Sequence, residues 1–129
     1  MTARIPTLLL TGAAGLLGRQ LTPALARGCE RAWPLQGAHT GAPEARRLPY
    51  DRLVRSDLPA ALQAQGDTTA VPCDLADRAA VRTLLQGVDA VVHLGGVSYE
   101  KPFEVVLEAN IRGLFHLYAR AGKEPAIEI

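Results

Sequence analysis

Between Leu8 and Gly18 the chain reads Leu-Leu-Leu-Thr-Gly-Ala-Ala-Gly-Leu-Leu-Gly. No other stretch restricts the fold so tightly. An apolar run this short, closed at once by turn residues, is the pattern of a strand buried on both faces, as in a parallel sheet. The glycines fall at its carboxyl end. Gly12 allows a sharp backbone turn, Gly15 leaves space for a pyrophosphate to reach the main chain, and Gly18 lets the next helix pack closely on the strand. Backbone N–H groups at Gly12, Ala14, Gly15, Leu16, Leu17 and Gly18 are the expected phosphate contacts, because a helix start presents unpaired donors. A plain tight turn shows the same glycines, so the weight rests on the segments C-terminal to them.

Strands and helices alternate from there. Leu17, Leu21, Ala24 and Leu25 recur at helical spacing, and Pro23 among them predicts a kink or an end near Gly28. From Cys29 to Tyr50, Pro34, Gly37, Gly41, Pro43 and Pro49 break every period, so the segment reads as a loop-like insertion at about 29–50. It is either a surface excursion or a lid or partner-binding arm, with Trp33 and the Arg46-Arg47 pair as its contacts. Asp51 to Asp57 reads as the second strand, ending in an acid. Arg31 to Leu35 is rejected for that role, having an internal proline and no acid after it. A short helix over Leu58 to Gln65, stopped by Gly66, leads to a third strand over Thr68 to Pro72.

Asp77 is a good N-cap for a helix with Val81, Leu84 and Leu85 inward and Gly87 as its stop. Val88 to Leu94 is a fourth, buried strand. Pro102 opens a long helix with Phe103, Val106, Leu107, Asn110, Ile111, Leu114, Leu117 and Tyr118 on or near one stripe, and Gly122 ends it. The chain stops as Ala126 to Ile129 begins a fifth strand. This alternation predicts one α/β domain over residues 1–129, a Rossmann-like parallel sheet with helices on both faces and strand order 3-2-1-4-5, truncated after about the fifth strand. Ligands of such sheets sit at the carboxyl ends of the strands, where the order reverses between strands 1 and 4.

The Gly-x-x-Gly-x-x-Gly spacing led by Thr11 resembles the extended short-chain dehydrogenase/reductase superfamily, the NAD-dependent epimerase/dehydratase group. The resemblance runs on, in the family's order, through Cys73-Asp74-Leu75-Ala76-Asp77, His93 to Phe103, and Asn110-Ile111-Arg112-Gly113. It covers nearly the whole chain outside residues 29–50, and its later blocks look most like uronate dehydrogenases.

At the end of strand 2, the Asp57 carboxylate can accept both adenosine ribose hydroxyls and repel a 2′-phosphate, which favours NAD over NADP. Otherwise Asp57 merely caps the turn. It lies further beyond the glycines than the usual spacing of about 20 residues, and Arg55 nearby is placed to rescue a phosphate. The resemblance implies that Asp74 and Leu75 hold the adenine, the carboxylate taking the exocyclic amine and the backbone reading the ring edge. Asp74 is equally a plausible turn residue. Leu94, Gly95 and Gly96 stand where the nicotinamide-side ribose and pyrophosphate would pass, although glycines also punctuate strand ends. Ser98 corresponds to a serine that contacts the sugar acid. His93, in an apolar strand, reads as a packed core residue, and Asn110 as a structural one whose amide bonds backbone across the sheet.

Catalysis in the family uses a tyrosine, a lysine four residues later that lowers its pKa, and a serine. Here Tyr50, Tyr99 and Tyr118 are followed at that distance by Val54, Phe103 and Gly122, and Tyr118 with Lys123 misses by one. No residue is therefore assigned as catalytic. A sugar acid is expected as a partner only in a complete enzyme, and the chain alone is expected to be inactive. The alternatives are a non-catalytic nucleotide-binding or regulatory module paired with a partner chain, and an enzyme completed by another chain. Half a doubly wound sheet leaves apolar surface open, so self-association or a partner chain is expected.

Composition adds exclusions. The formal net charge of +1 gives no electrostatic argument for nucleic acid or an anionic membrane. No uncharged stretch reaches the roughly 20 residues of a membrane span, so a cytoplasmic protein is expected. Cys29 and Cys73 are isolated in sequence and indicate neither a metal site nor a disulfide framework.

Overall fold

The computed structural model describes residues 3–30, 33–35 and 44–129. In chain order its elements are β1 (Thr7–Thr11), α1 (Leu16–Glu30), β2 (Trp33–Leu35), β3 (Glu44–Arg46), β4 (Arg52–Asp57), α2 (Pro59–Gln65), β5 (Val71–Pro72), α3 (Arg78–Leu84), β6 (Ala90–His93), α4 (Phe103–Val106), a π-helical stretch (Leu107–Arg112) and α5 (Gly113–Ala121).

The strand β1 is buried at all five positions because it has neighbours on every side. It pairs in parallel with β4 and with β6, Leu9 standing opposite both Val54 and Val91. Its side chains alternate between the two faces, as a pleated strand requires. Leu9 packs with Val81, Leu84, Leu85, Val91 and Leu117 on the face covered by α3 and α5. Leu8 and Leu10 pack with Ala13, Leu25 and Ala90 on the face covered by α1. The parallel sheet runs β5-β4-β1-β6, which is the expected order over its first four strands. The expected fifth strand is reduced to one parallel bridge between Glu128 and Ala90, on the free side of β6. There the Val91 N–H donates to the Glu128 carbonyl at 2.7 Å.

Several expectations need correction. Helix α1 runs through Pro23 and ends at Glu30, two residues past the expected kink or end near Gly28. Arg19 and Pro23 are both exposed, so water can take the carbonyl of Arg19 that proline leaves without an N–H. The segment expected to be all loop contains β2 and β3, a separate antiparallel ribbon pairing Trp33 with Arg46. Residues 36–43, and the side chains of Trp33 and Arg46, lie outside what is described. Arg47 pairs with Asp51.

Strand β5 spans only Val71–Pro72 because Asp67 turns the chain just before it. One Asp67 oxygen accepts from the N–H groups of Thr69 and Ala70. The long helix after Pro102 is divided by its π-helical stretch, and the expected stripe is only partly inward. Gly113, Leu117 and Ala121 are buried, whereas Phe103, Ile111, Phe115 and Tyr118 are exposed. The cause is a close approach at Gly113, where an added Cβ would stand 3.0 Å from the Leu75 Cβ. At Gly113 itself no larger residue fits without a shift of Leu75. Among the described residues, no helix is long and apolar enough to cross a membrane.

Candidate nucleotide-binding site

The turn after β1 is fixed by two backbone contacts that exclude side chains. Gly12 has φ +70°, and a Cβ there would lie 2.5 Å from the Leu94 carbonyl carbon. A Cβ on Gly18 would lie 2.1 Å from the Gly12 oxygen. Gly15 is different: its added Cβ meets only that oxygen, at an ordinary 3.4 Å. The space beside Gly15 is therefore open, as a phosphate cradle needs. The first helical bond of α1 runs from the Arg19 N–H to the Gly15 carbonyl, so the N–H groups of Leu16, Leu17 and Gly18 precede any intrahelical partner. Their donors are free for an anion, while the side chains of Leu16 and Leu17 are exposed.

Asp57 closes the cradle from β4. One of its carboxylate oxygens accepts the Ala14 N–H at 2.9 Å and the other accepts the Leu58 N–H at 2.7 Å. The insertion that separates acid from glycines along the sequence thus has no effect on their meeting in space. Each oxygen keeps a lone pair for a further donor, such as a ribose hydroxyl.

Across the cleft, one Asp74 oxygen accepts the Ala76 N–H at 3.0 Å. This is the turn geometry expected of Asp74, with its second oxygen left for a ligand. The Leu75 carbonyl accepts from His116 Nδ1 at 2.9 Å, which ties the loop after β5 to α5. Cys73 sits beneath, its thiol pushed up to about 11 by burial first and by Asp74 and Asp77 second. It is held as a neutral thiol at physiological pH. We expect Cys73, buried and neutral at the floor of the cavity, to react with a maleimide far more slowly than an exposed thiol and to speed up across a urea series, as mass spectrometry would read.

These elements enclose a cavity of about 420 Å³. Of the residues expected from sequence, Gly12, Asp57, Asp74, Leu75, Gly95 and Gly96 line it. Leu94 and Ser98 are exposed and, like Ala14, Gly15, Leu16, Leu17 and Gly18, are not among its lining residues. Ser98 instead follows Val97, whose N–H and carbonyl are both bound by the Asn110 amide at 2.7 Å. Asn110 therefore fixes the loop after β6 rather than bonding across the sheet.

Sequence reasoning missed the Thr11 hydroxyl, which accepts the N–H groups of Leu94 and Gly95 at 3.2 Å each. It also missed Glu104 and Glu108, which join Asp57 and Asp74 around the cavity. His116 was findable: it lies three residues after Gly113, hence on the same helix face.

The lining carries four carboxylates and neither lysine nor arginine among the described residues, so a second phosphate on the ribose would be repelled. Arg55, expected as a possible phosphate rescuer, is committed elsewhere. Its two terminal nitrogens reach the two Asp67 oxygens at 2.7 and 3.2 Å, and it also bonds Thr69. That guanidinium, with the Thr69 and Ala70 donors, holds the Asp67 carboxyl well below the usual carboxylate range. Replacing Arg55 with methionine is accordingly expected to lower the melting temperature and leave NADP affinity unchanged, as calorimetry and titration would read.

Known proteins share this sequence and fold. The chain spans about a third of the length of the curated relatives it matches. It is 44% identical over 116 residues to a uronate dehydrogenase of Pseudomonas syringae pv. tomato, covering 88% of this chain and 34% of that protein. It is also 44% identical over 117 residues to a uronate dehydrogenase of Pseudomonas putida, covering 90% of this chain and 36% of that protein. Among solved structures, a mutant uronate dehydrogenase from Agrobacterium tumefaciens complexed with NAD superimposes with a TM-score of 0.63 at 39% identity, covering 90% of this chain and 36% of the other. The model of the NAD dependent epimerase/dehydratase family matches residues 8–126, from β1 to the approach of the final bridge, and the chain belongs to that family.

Proposed function

We propose that this chain is the NAD-binding portion of a uronate-dehydrogenase-like oxidoreductase. The observation that carries the reading is the Asp57 carboxylate resting on the Ala14 N–H at 2.9 Å, which sets a ribose acceptor beside a glycine cradle. The free backbone donors of Leu16, Leu17 and Gly18 receive the pyrophosphate beside the Gly12 and Gly15 turn, where the N–H groups of Ala14 and Gly15 are held by Asp57 and by the Gly12 carbonyl. Asp57 receives the adenosine ribose hydroxyls, and Asp74 with the Leu75 backbone receives the adenine. Gly95 and Gly96 admit the nicotinamide-side ribose, with Leu94 just before them. Ser98 is the proposed contact of the sugar acid. In the complete enzyme the bound dinucleotide accepts hydride from C1 of a hexuronic acid while the C1 hydroxyl proton passes to a base, giving an aldarolactone. This chain has no tyrosine followed four residues later by lysine, so the 129 residues do not turn over alone.

A second reading is a non-catalytic nucleotide-binding or regulatory module that pairs with itself or with a partner chain. The exposed Phe103, Ile111, Phe115 and Tyr118 support it, because apolar side chains grouped on one helix favour burial against a mate. A cytoplasmic setting suits both readings, since it keeps the two free cysteines reduced. Calorimetric titration with NAD and NADP, alongside a galacturonate oxidation assay, tests the proposal. We expect NAD to bind more tightly than NADP and no NADH to form. Tighter NADP binding refutes the Asp57 assignment, and turnover by the chain alone refutes its incompleteness.

A further inference from the structure

A proton count around Thr11 fixes the state of His93. A threonine hydroxyl has one proton and two lone pairs. Both lone pairs of Thr11 face N–H groups, that of Gly95 and that of Leu94, which the hydroxyl shares with the Thr11 backbone carbonyl at 3.2 Å, and its remaining contact is His93 Nδ1 at 2.6 Å. The hydroxyl proton must therefore point at the imidazole, which leaves Nδ1 bare and puts the ring proton on Nε2. An imidazolium does not fit this arrangement, because its Nδ1 proton meets a hydroxyl with no lone pair to spare. One of the two amide contacts then has to be given up. A Cβ on Gly95 would meet Leu75 Cδ1 at 3.3 Å and both His93 Cε1 and Thr11 Oγ1 at an ordinary 3.4 Å.

We propose that His93 is a positioning residue for the nucleotide cleft. Its bare Nδ1 orients the Thr11 hydroxyl, the hydroxyl anchors Gly95 and shares the Leu94 N–H with the Thr11 carbonyl, and a proton on Nδ1 loosens that edge at Gly95 and weakens the grip on the dinucleotide. The inference rests on the NAD-binding reading above and adds its regulation by acid. Burial is the one cause that holds the ring's pKa below the ordinary histidine value. Ionisable groups on the surrounding elements are Asp57, Asp74, Glu104, Glu108 with its partner Arg112, His116 and Glu128, and none of them contributes to that shift. His116 supplies an internal contrast. Its Nδ1 faces the Leu75 carbonyl, which only accepts, so that nitrogen is a donor and not an acceptor.

The test is NAD titration of the chain from neutral pH down to about 5, below the ordinary histidine pKa, with His93→Asn and His93→Leu as companions. Asparagine offers an acceptor near the Nδ1 position and does not titrate. We expect the wild-type affinity to fall about tenfold, the worth of one hydrogen bond. The His93→Asn profile should stay flat over the same range, and His93→Leu should bind weakly at every pH. Without any ligand, NMR should show the ring as the Nε2–H tautomer, with the Leu94 and Gly95 amide resonances following its titration and that of Leu75 unaffected. An Nδ1–H tautomer, or amides that ignore the titration, overturns the proposal. So does acid sensitivity that persists in His93→Asn. A wild-type chain that binds no NAD at neutral pH refutes the NAD-binding reading instead, and the ligand-free spectra still decide the role of His93.

Discussion

Gly18→Ala is expected to destabilise the fold by about 3 kcal/mol, the upper end of ordinary overpacking costs, and to lose NAD binding with it. Gly15→Ala should leave the melting temperature unchanged and lose only the ligand. The difference lies in what each new methyl group meets. On Gly18 it would stand 2.1 Å from the carbonyl oxygen of Gly12 and 2.7 Å from the Ala13 Cα. All of these atoms are backbone, so no side chain can rotate aside and helix α1 has to move off β1. On Gly15 the methyl group has only the Gly12 oxygen at 3.4 Å and otherwise points into the open space where phosphate oxygens approach. Thermal unfolding followed by circular dichroism and calorimetric NAD titration separate the two effects. Equal destabilisation of both variants would mean that Gly15 is a packing glycine like Gly18, and the phosphate cradle would be misplaced.

Asp57→Ala acts on the other half of the same corner. It removes the acceptor for the Ala14 and Leu58 N–H groups, and Ala14 is buried. An orphaned donor of that kind costs about 1–3 kcal/mol. Loss of a charged acceptor for two ribose hydroxyls should weaken NAD by roughly 10- to 100-fold, from about 1.5–3 kcal/mol for hydrogen bonds to a charged group. NADP is expected to change little or to gain, because the carboxylate that repels its 2′-phosphate is gone. The preference between the two cofactors should therefore collapse. Paired titrations of wild type, Asp57→Ala and Asp57→Asn measure it. An unchanged ratio would assign the cofactor choice to Glu104, Glu108 and Asp74 around the cavity rather than to Asp57.

The parts of this molecule that were legible in sequence are those specified by neighbours along the chain. The leucine run before Gly12 and the glycine spacing after it are local statements, and β1 has the burial and the two parallel partners they imply. The Asp77 cap is local too, its carboxylate accepting from Ala79 and Ala80. The contacts that escaped notice join residues far apart in sequence. Thr11 and His93 stand 82 positions apart, and their hydrogen bond exists only because β1 and β6 pair with those two residues opposite each other. No pattern of apolar residues carries that register. Arg55 was misjudged for a related reason: proximity to Asp57 in sequence says nothing about where its side chain lies, and the Asp67 turn captures it outside the lining of that cavity, beside a second one shared with Ala13 and Ala14. The helix stripe was misread because a period marks apolar residues without telling which of them face a neighbour.

The most direct test of a dinucleotide cradle at the end of β1 is to titrate the isotopically labelled chain with NAD and follow its backbone amides by NMR. Saturable shifts should gather at Gly12, Ala14, Gly15, Leu16, Leu17 and Gly18, with a second group at Leu75, Gly95 and Gly96. Shifts confined to other residues, or none at millimolar NAD in a folded chain, would contradict the account.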